Sequence, residues 1–194
     1  MKLNEIIDCF YRSDEGGRVF VYRQTGERFN RRFIQTVARS GRKSVSVWAW
    51  YSQEGAGSLH RIEGTLKKEQ YVRILETVLL PYATARFPNG FVFVQDRSPV
   101  HTSNILREWF NNHPQITLMD WPPKGADLNP IENVWGLMVR EMDRTLVNQE
   151  TLWLKVVEIW NRFTERNRLW YNLSNSMPNR IADVVECNGG WSKY

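Results

Sequence analysis

Phe91-Val92-Phe93-Val94-Gln95-Asp96 is an unbroken apolar run that ends on an acid. Four apolar residues are too few for a helix. Bounded upstream by Pro88-Asn89-Gly90, the run reads as a strand buried on both faces of a central sheet. Open α/β sheets carry their ligand sites at the carboxyl ends of strands, so Asp96 is placed for chemistry.

Working outward, the period changes. Leu66 to Arg86 carries Leu66, Val72, Leu75, Val78, Leu79 and Tyr82 in a helical stripe, despite Pro81. Downstream, residues 103–112 read as a helix and Ile116-Thr117-Leu118-Met119 as a short strand. A Pro/Gly-rich loop then runs from Trp121 to Pro130. Pro130 suits the first position of a helix reaching about Arg144. A second amphipathic helix starts near Asn148, with Glu150 in its first turn, and reaches about Phe163. Residues 177–186 form a last short helix. Towards the N-terminus, residues 18–23 and 44–51 are rich in β-formers, Gly55-Ala56-Gly57 marks a turn, and residues 58–62 suit a third strand. Strands first, then strand–helix alternation, predict an α/β fold with a mixed central sheet flanked by helices.

Composition narrows the class. The chain has 194 residues, 42% hydrophobic and 24% charged, which suits one globular domain and excludes collagen-like, low-complexity and disordered chains. No apolar run is long enough to span a membrane, and the first residues do not read as a secretory signal. Two cysteines, Cys9 and Cys187, are too few for a disulfide framework and read as small hydrophobes. Lys plus Arg outnumber Asp plus Glu by 26 to 21. The excess gathers between residues 18 and 43, where Arg18, Arg23, Arg28, Arg31, Arg32, Arg39, Arg42 and Lys43 face only Glu27. That segment is either solvated surface or a phosphate-facing one. The tryptophans Trp48, Trp50, Trp109, Trp135 and Trp160 fall on predicted strands or helices and are expected in the core.

A second acid pairs with Asp96 in this reading. Glu132 sits in the first turn of the helix after Pro130, with 35 residues between the two. That length accommodates a helix, a strand and a loop, enough to return the helix start beside the strand end. Two converging carboxylates are the ligands a hard cation such as Mg²⁺ prefers. Each acid also has a plain structural role: a strand-end Asp caps the next helix, and a first-turn Glu complements the helix dipole.

The wording of the motifs is more specific than their spacing. Arg23-Gln24-Thr25-Gly26-Glu27-Arg28-Phe29 and Val47-Trp48-Ala49-Trp50 are similar to phrases of the mariner-superfamily transposases. So are Gln95-Asp96 with Pro99-Val100-His101-Thr102-Ser103, Asp120-Trp121-Pro122-Pro123-Lys124, and Asp127-Leu128-Asn129-Pro130-Ile131-Glu132-Asn133-Val134-Trp135. Met177-Pro178-Asn179-Arg180-Ile181 and Gly189-Gly190-Trp191-Ser192-Lys193-Tyr194 resemble that family's ending. The resemblance runs over nearly the whole chain.

It implies a ribonuclease H-like fold and a DDE-type catalytic domain over residues 1–194, lacking the family's N-terminal helix-turn-helix region and most of its first strand. Asp96 and Glu132 take the second and third acidic positions, as catalytic residues and as ligands of Mg²⁺ or Mn²⁺. The implied activity is cleavage of DNA at transposon ends followed by strand transfer. Its partners are transposon-end and target DNA, a homodimer is the candidate assembly, no membrane is involved, and the location is nuclear. His101 and Lys124 are candidate DNA contacts, with a local helix cap as the other reading of His101. The first acid is open: register with the family puts Asn4 there, and Asp8 and Asp14 are alternatives. Arg97-Ser98 and Gly125-Ala126 also depart from the family's wording. The competing expectation is a truncated or domesticated relic that binds DNA or protein without chemistry.

Overall fold

The computed structural model describes the backbone of residues 2–11, and residues 44–122, 125, 128–142 and 148–187 with their side chains. Five strands, β1 (Lys2–Tyr11), β2 (Ser44–Ser52), β3 (Gly55–Ile62), β4 (Phe91–Val94) and β5 (Ile116–Leu118), make one sheet in the order β3-β2-β1-β4-β5. β1 is antiparallel to β2 and parallel to β4. β2 and β3 are antiparallel, and β4 and β5 are parallel. This is the mixed sheet expected.

Among the described residues, seven α-helices flank it: α1 (Lys68–Ile74), α2 (Leu80–Arg86), α3 (Asn104–Asn111), α4 (Ile131–Glu141), α5 (Gln149–Thr164), α6 (Asn167–Asn175) and α7 (Met177–Glu186). None of the described helices is long and apolar enough to cross a membrane. α5 starts on a capping box between Asn148 and Thr151.

Side-chain alternation along β2 sorts the helices between two layers. Trp48 and Trp50 point to one face, where they join Tyr71 of α1, Phe91 and Phe93 of β4, and Leu106 and Phe110 of α3. Val45, Val47, Ala49 and Tyr51 point to the other, against Trp135 and Met138 of α4, Ile159 and Trp160 of α5, and Trp170 of α6. With both faces covered, β2 is apolar from Val47 to Tyr51 and carries only the small polar Ser44, Ser46 and Ser52 towards its ends. All five tryptophans assigned to the core are buried.

The helical stripe of residues 66–86 survives Pro81 by widening. Leu75–Leu79 forms a π-helical turn between α1 and α2, with Pro81 in the first turn of α2. Proline lacks an N–H and clashes with the carbonyl four residues back, and the wider turn accommodates both. At the entrance to β4, Gly90 has φ +87°, and a Cβ there would meet the Gln115 carbonyl oxygen at 2.5 Å.

Several expectations are corrected. The first strand is not largely missing: β1 occupies ten residues at the centre of the sheet, held by neighbours on both edges. Gly55-Ala56-Gly57 belongs to β3, and the turn lies just before it at Gln53-Glu54. α6 was not expected, because its Asn-rich sequence has weak helix propensity; burial of Trp170 and Leu173 supports it. Cys187 is exposed rather than a core residue. α4 ends at Glu141, before Arg144, and residues 143–147 lie outside the described residues, as do the predicted strand at 18–23 and the basic segment ending at Lys43.

Candidate functional site

β4 ends at Val94, and the chain delivers Asp96 two residues later. Its side chain is 63% exposed. Oδ1 accepts the Ser98 amide at 2.8 Å and pairs with His101 Nδ1 at 2.6 Å. The His101 hydrogen bond holds the Asp96 carboxyl below its usual range, the Ser98 amide adds to this, and partial burial opposes it. An ionised carboxylate only accepts, so Nδ1 carries the proton in this pair. The strand-end acid therefore caps its own turn at Ser98, while α3 begins after Ser103 with no side-chain cap.

His101 itself is buried, its side chain 4% exposed. Its ring lies 4.6 Å from that of Tyr71, tilted by 38°. The Tyr71 hydroxyl donates to Gln95 Oε1 at 2.7 Å, and Gln95 Nε2 donates to the His101 carbonyl at 3.5 Å. Gln95 belonged to the phrase around Asp96 without a role of its own, and Tyr71 carried no motif signal. Their role comes from α1 crossing the end of β4.

An open cleft of about 340 Å³ lies on the solvent side of Asp96, lined also by Arg97, His101, Arg107, Asp120 and Trp121. Arg97, which stands where the family's wording differs, forms an ion pair with Asp120 across it. β4 and β5 are parallel, so both end on the same edge of the sheet. The segment after β5 leaves from that edge, with Met119 donating to the Phe93 carbonyl at 2.9 Å, and it leads on to α4.

Glu132 is exposed in the first turn of α4, where the helix dipole favours a carboxylate. α4 packs on β1, and β1 lies beside β4, so the strand that leads to Asp96 and the strand under α4 are immediate neighbours. From α7, Arg180 reaches the same turn: its guanidinium, buried with the residue 3% exposed, donates to Asn133 Oδ1 at 2.5 Å and to Ser176 Oγ at 2.9 Å.

The backbone of β1 places two of the candidates for the first acid, Asn4 and Asp8. Asn4 is level with Val94 on one side and Tyr51 on the other, and Asp8 is level with Val47. Both positions therefore share the face that α4, α5 and α6 cover. Glu5 is level with Trp50 and belongs to the opposite face. Positions 4 and 5 therefore lie on opposite faces of the sheet. Position 4 is level with the last residue of β4, Val94, two residues before Asp96 in the chain.

Asp14, Lys124 and Asp127 lie outside the described residues. Among the described residues, no group of three or more His, Cys, Asp or Glu side chains could hold a metal ion. The donor set nonetheless suits a hard divalent cation: Asp96 is ionised, exposed to a cleft, and accepts the Ser98 amide and the His101 ring on the same oxygen, and Glu132 is an exposed carboxylate.

Residues 7–163 match the DDE superfamily endonuclease family. The chain is 32% identical over 186 residues to the transposable element Tc1 transposase of Caenorhabditis elegans, covering 92% of this chain and 64% of that protein. It therefore spans less than two thirds of that relative. Among solved structures, it resembles the Mos1 transposase paired-end complex with left transposon end, at TM-score 0.77 and 15% identity over 99% of this chain and 56% of the other. A mariner Mos1 paired end complex with Mg superposes at TM-score 0.78 and 15% identity, with the same coverage of both chains. At such identity the structural likeness speaks for the fold, which is the ribonuclease H-like one.

Proposed function

The chain belongs to the DDE superfamily endonucleases as a Tc1/mariner-type transposase domain, and we propose that it cuts and joins DNA with a divalent cation held by Asp96 and Glu132. The observation that carries this reading is Asp96: an ionised, cleft-facing carboxylate at a strand end, in a fold shared with transposases. Mg²⁺ or Mn²⁺, bound there, would supply charge stabilisation to the phosphodiester undergoing attack. The chain's own residues do the rest. His101 and the Ser98 amide keep Asp96 anionic and fixed. The first turn of α4 offers Glu132 at the positive end of a helix, and Arg180 anchors the neighbouring Asn133.

DNA is the partner this reading requires. Arg97 and Arg107 give the cleft its cations, and Lys124, with the basic segment of residues 18–43, adds candidate phosphate contacts. Affinity for DNA should then fall steeply as salt rises. Strand transfer, pairing of two copies on two DNA ends, and a nuclear location belong to the same proposal.

The test is nicking of supercoiled plasmid in Mn²⁺ alongside a Mn²⁺-binding titration. Both are expected in the native chain and lost in Asp96→Ala and in Glu132→Ala. Activity that survives both substitutions rejects the site. A chain that binds DNA in a salt-dependent way, yet neither binds Mn²⁺ nor nicks, is the non-catalytic relic.

A further inference from the structure

Beside the Ser98 amide, the Asp96 carboxylate is held by a buried, aromatic-shelved imidazole, and that arrangement has a direction. Tyr71 donates to the Gln95 side-chain oxygen, which fixes the amide so that its nitrogen grips the His101 carbonyl. The Tyr71 ring backs the imidazole at 4.6 Å, so the ring has one seat. From that seat Nδ1 reaches Asp96 Oδ1, the same oxygen that accepts the Ser98 amide. The Ser98 amide and the His101 ring both fall on Oδ1, the Ser98 side chain also stabilises the carboxylate, and the Asp96 side chain faces the cleft.

We propose that His101 is a positioning residue: its ring donates Nδ1–H to Asp96 Oδ1 and thereby leaves Oδ2 as the oxygen presented to a divalent cation. The role rests on the reading of Asp96 as a cation ligand. It replaces a direct DNA contact for His101, whose ring is buried against Tyr71 and committed to Asp96. Groups that orient a metal ligand from behind typically change metal affinity by about 10–100-fold when removed. The relay also assigns a job to Tyr71 on α1, well away from the cleft in sequence.

Two variants and one spectrum test it on the full chain. His101→Leu keeps the bulk and loses the donor. His101→Asn keeps an N–H close to where Nδ1 stands. Mn²⁺ affinity, followed by electron paramagnetic resonance, is expected to fall about 10–100-fold in His101→Leu and to return for the most part in His101→Asn. Thermal melts check that both variants are folded. In the metal-free native chain, long-range proton–nitrogen spectra are expected to show His101 protonated on Nδ1, and Asp96→Ala to release that tautomer. Native-like Mn²⁺ affinity in folded His101→Leu, or a ring protonated on Nε2, overturns the proposal. Failure of the underlying cation reading looks different: the native chain then binds Mn²⁺ no more tightly than Asp96→Ala, and the proposal falls with it.

Discussion

Asn4 of β1 lies level with Val94 of β4, two residues short of the strand-end Asp96 and on the sheet face that α4 covers. An asparagine there offers a carbonyl oxygen where an acid would add charge. Asn4→Asp is expected to tighten Mn²⁺ binding by at least about tenfold, as a third carboxylate joins Asp96 and Glu132. Asp8→Asn should leave the affinity unchanged. Calorimetric or paramagnetic titration of both variants reads the answer. The opposite pattern, with Asp8→Asn weakening binding and Asn4→Asp without effect, moves the first position four residues along β1.

Gly57 is required by its neighbours on both sides. A Cβ at this position would lie 2.0 Å from Cε2 of the buried Trp50, and the Gly57 carbonyl accepts the Trp160 indole N–H at 3.1 Å. Neither the ring nor the backbone can retreat without breaking a packed layer. Gly57→Ala is expected to destabilise the fold by about 1–3 kcal/mol. In urea the midpoint should fall while the slope stays constant. A midpoint equal to that of the native chain would mean that the two tryptophans tolerate displacement.

How far the residues alone reach is clear from these positions. β4, β5, α3, α5 and α7 were readable because an apolar run, a helical stripe or a cap declares itself within a few residues. Asp96 was readable because it ends such a run. β1 was not, since Lys2–Tyr11 mixes acids with aliphatic pairs and has no period of two; its place at the sheet centre is fixed by β2 and β4. Nor was Gly57, whose punctuation value in sequence hid a packing role opposite Trp50. Tyr71, Gln95 and Asp96 are joined through His101 by contacts between α1 and the end of β4, which no local pattern encodes. The helix start at Glu132 was legible; the Arg180 strut behind it was not, because α7 returns to α4 across 47 residues.

His60 makes stability depend on pH. It lies on β3 opposite Trp48, and burial pushes its imidazole below the ordinary value of 6.5, with Glu63 opposing. The folded state therefore takes up the proton less readily than the unfolded chain. The contribution is fully present above pH 6.5 and is lost as pH falls through the lower folded value. Between about pH 7.5 and about pH 5 the native chain should lose more melting temperature than His60→Gln. Identical losses in the two proteins would show that this imidazole is solvated in the folded state.

Arg180 ties α7 to the turn that carries Glu132. Its guanidinium is buried and bridges Ser176 of the α6–α7 junction to Asn133 of α4. Arg180→Met removes hydrogen bonds from a charged group worth about 1.5–3 kcal/mol each, and stability should fall by at least that amount. Arg180→Lys keeps the charge but cannot span both partners with a single ammonium, so it should rescue little. The local effect separates a strut from a general packing residue. The amides of Glu132 and Asn133 bond to the carbonyls of Asn129 and Pro130 at 3.2 and 3.1 Å. In Arg180→Met these two amides are expected to exchange hydrogen faster by a larger factor than those in the middle of α5. A uniform rise in exchange across both helices would mean that Arg180 supports the whole fold and not the Glu132 turn in particular.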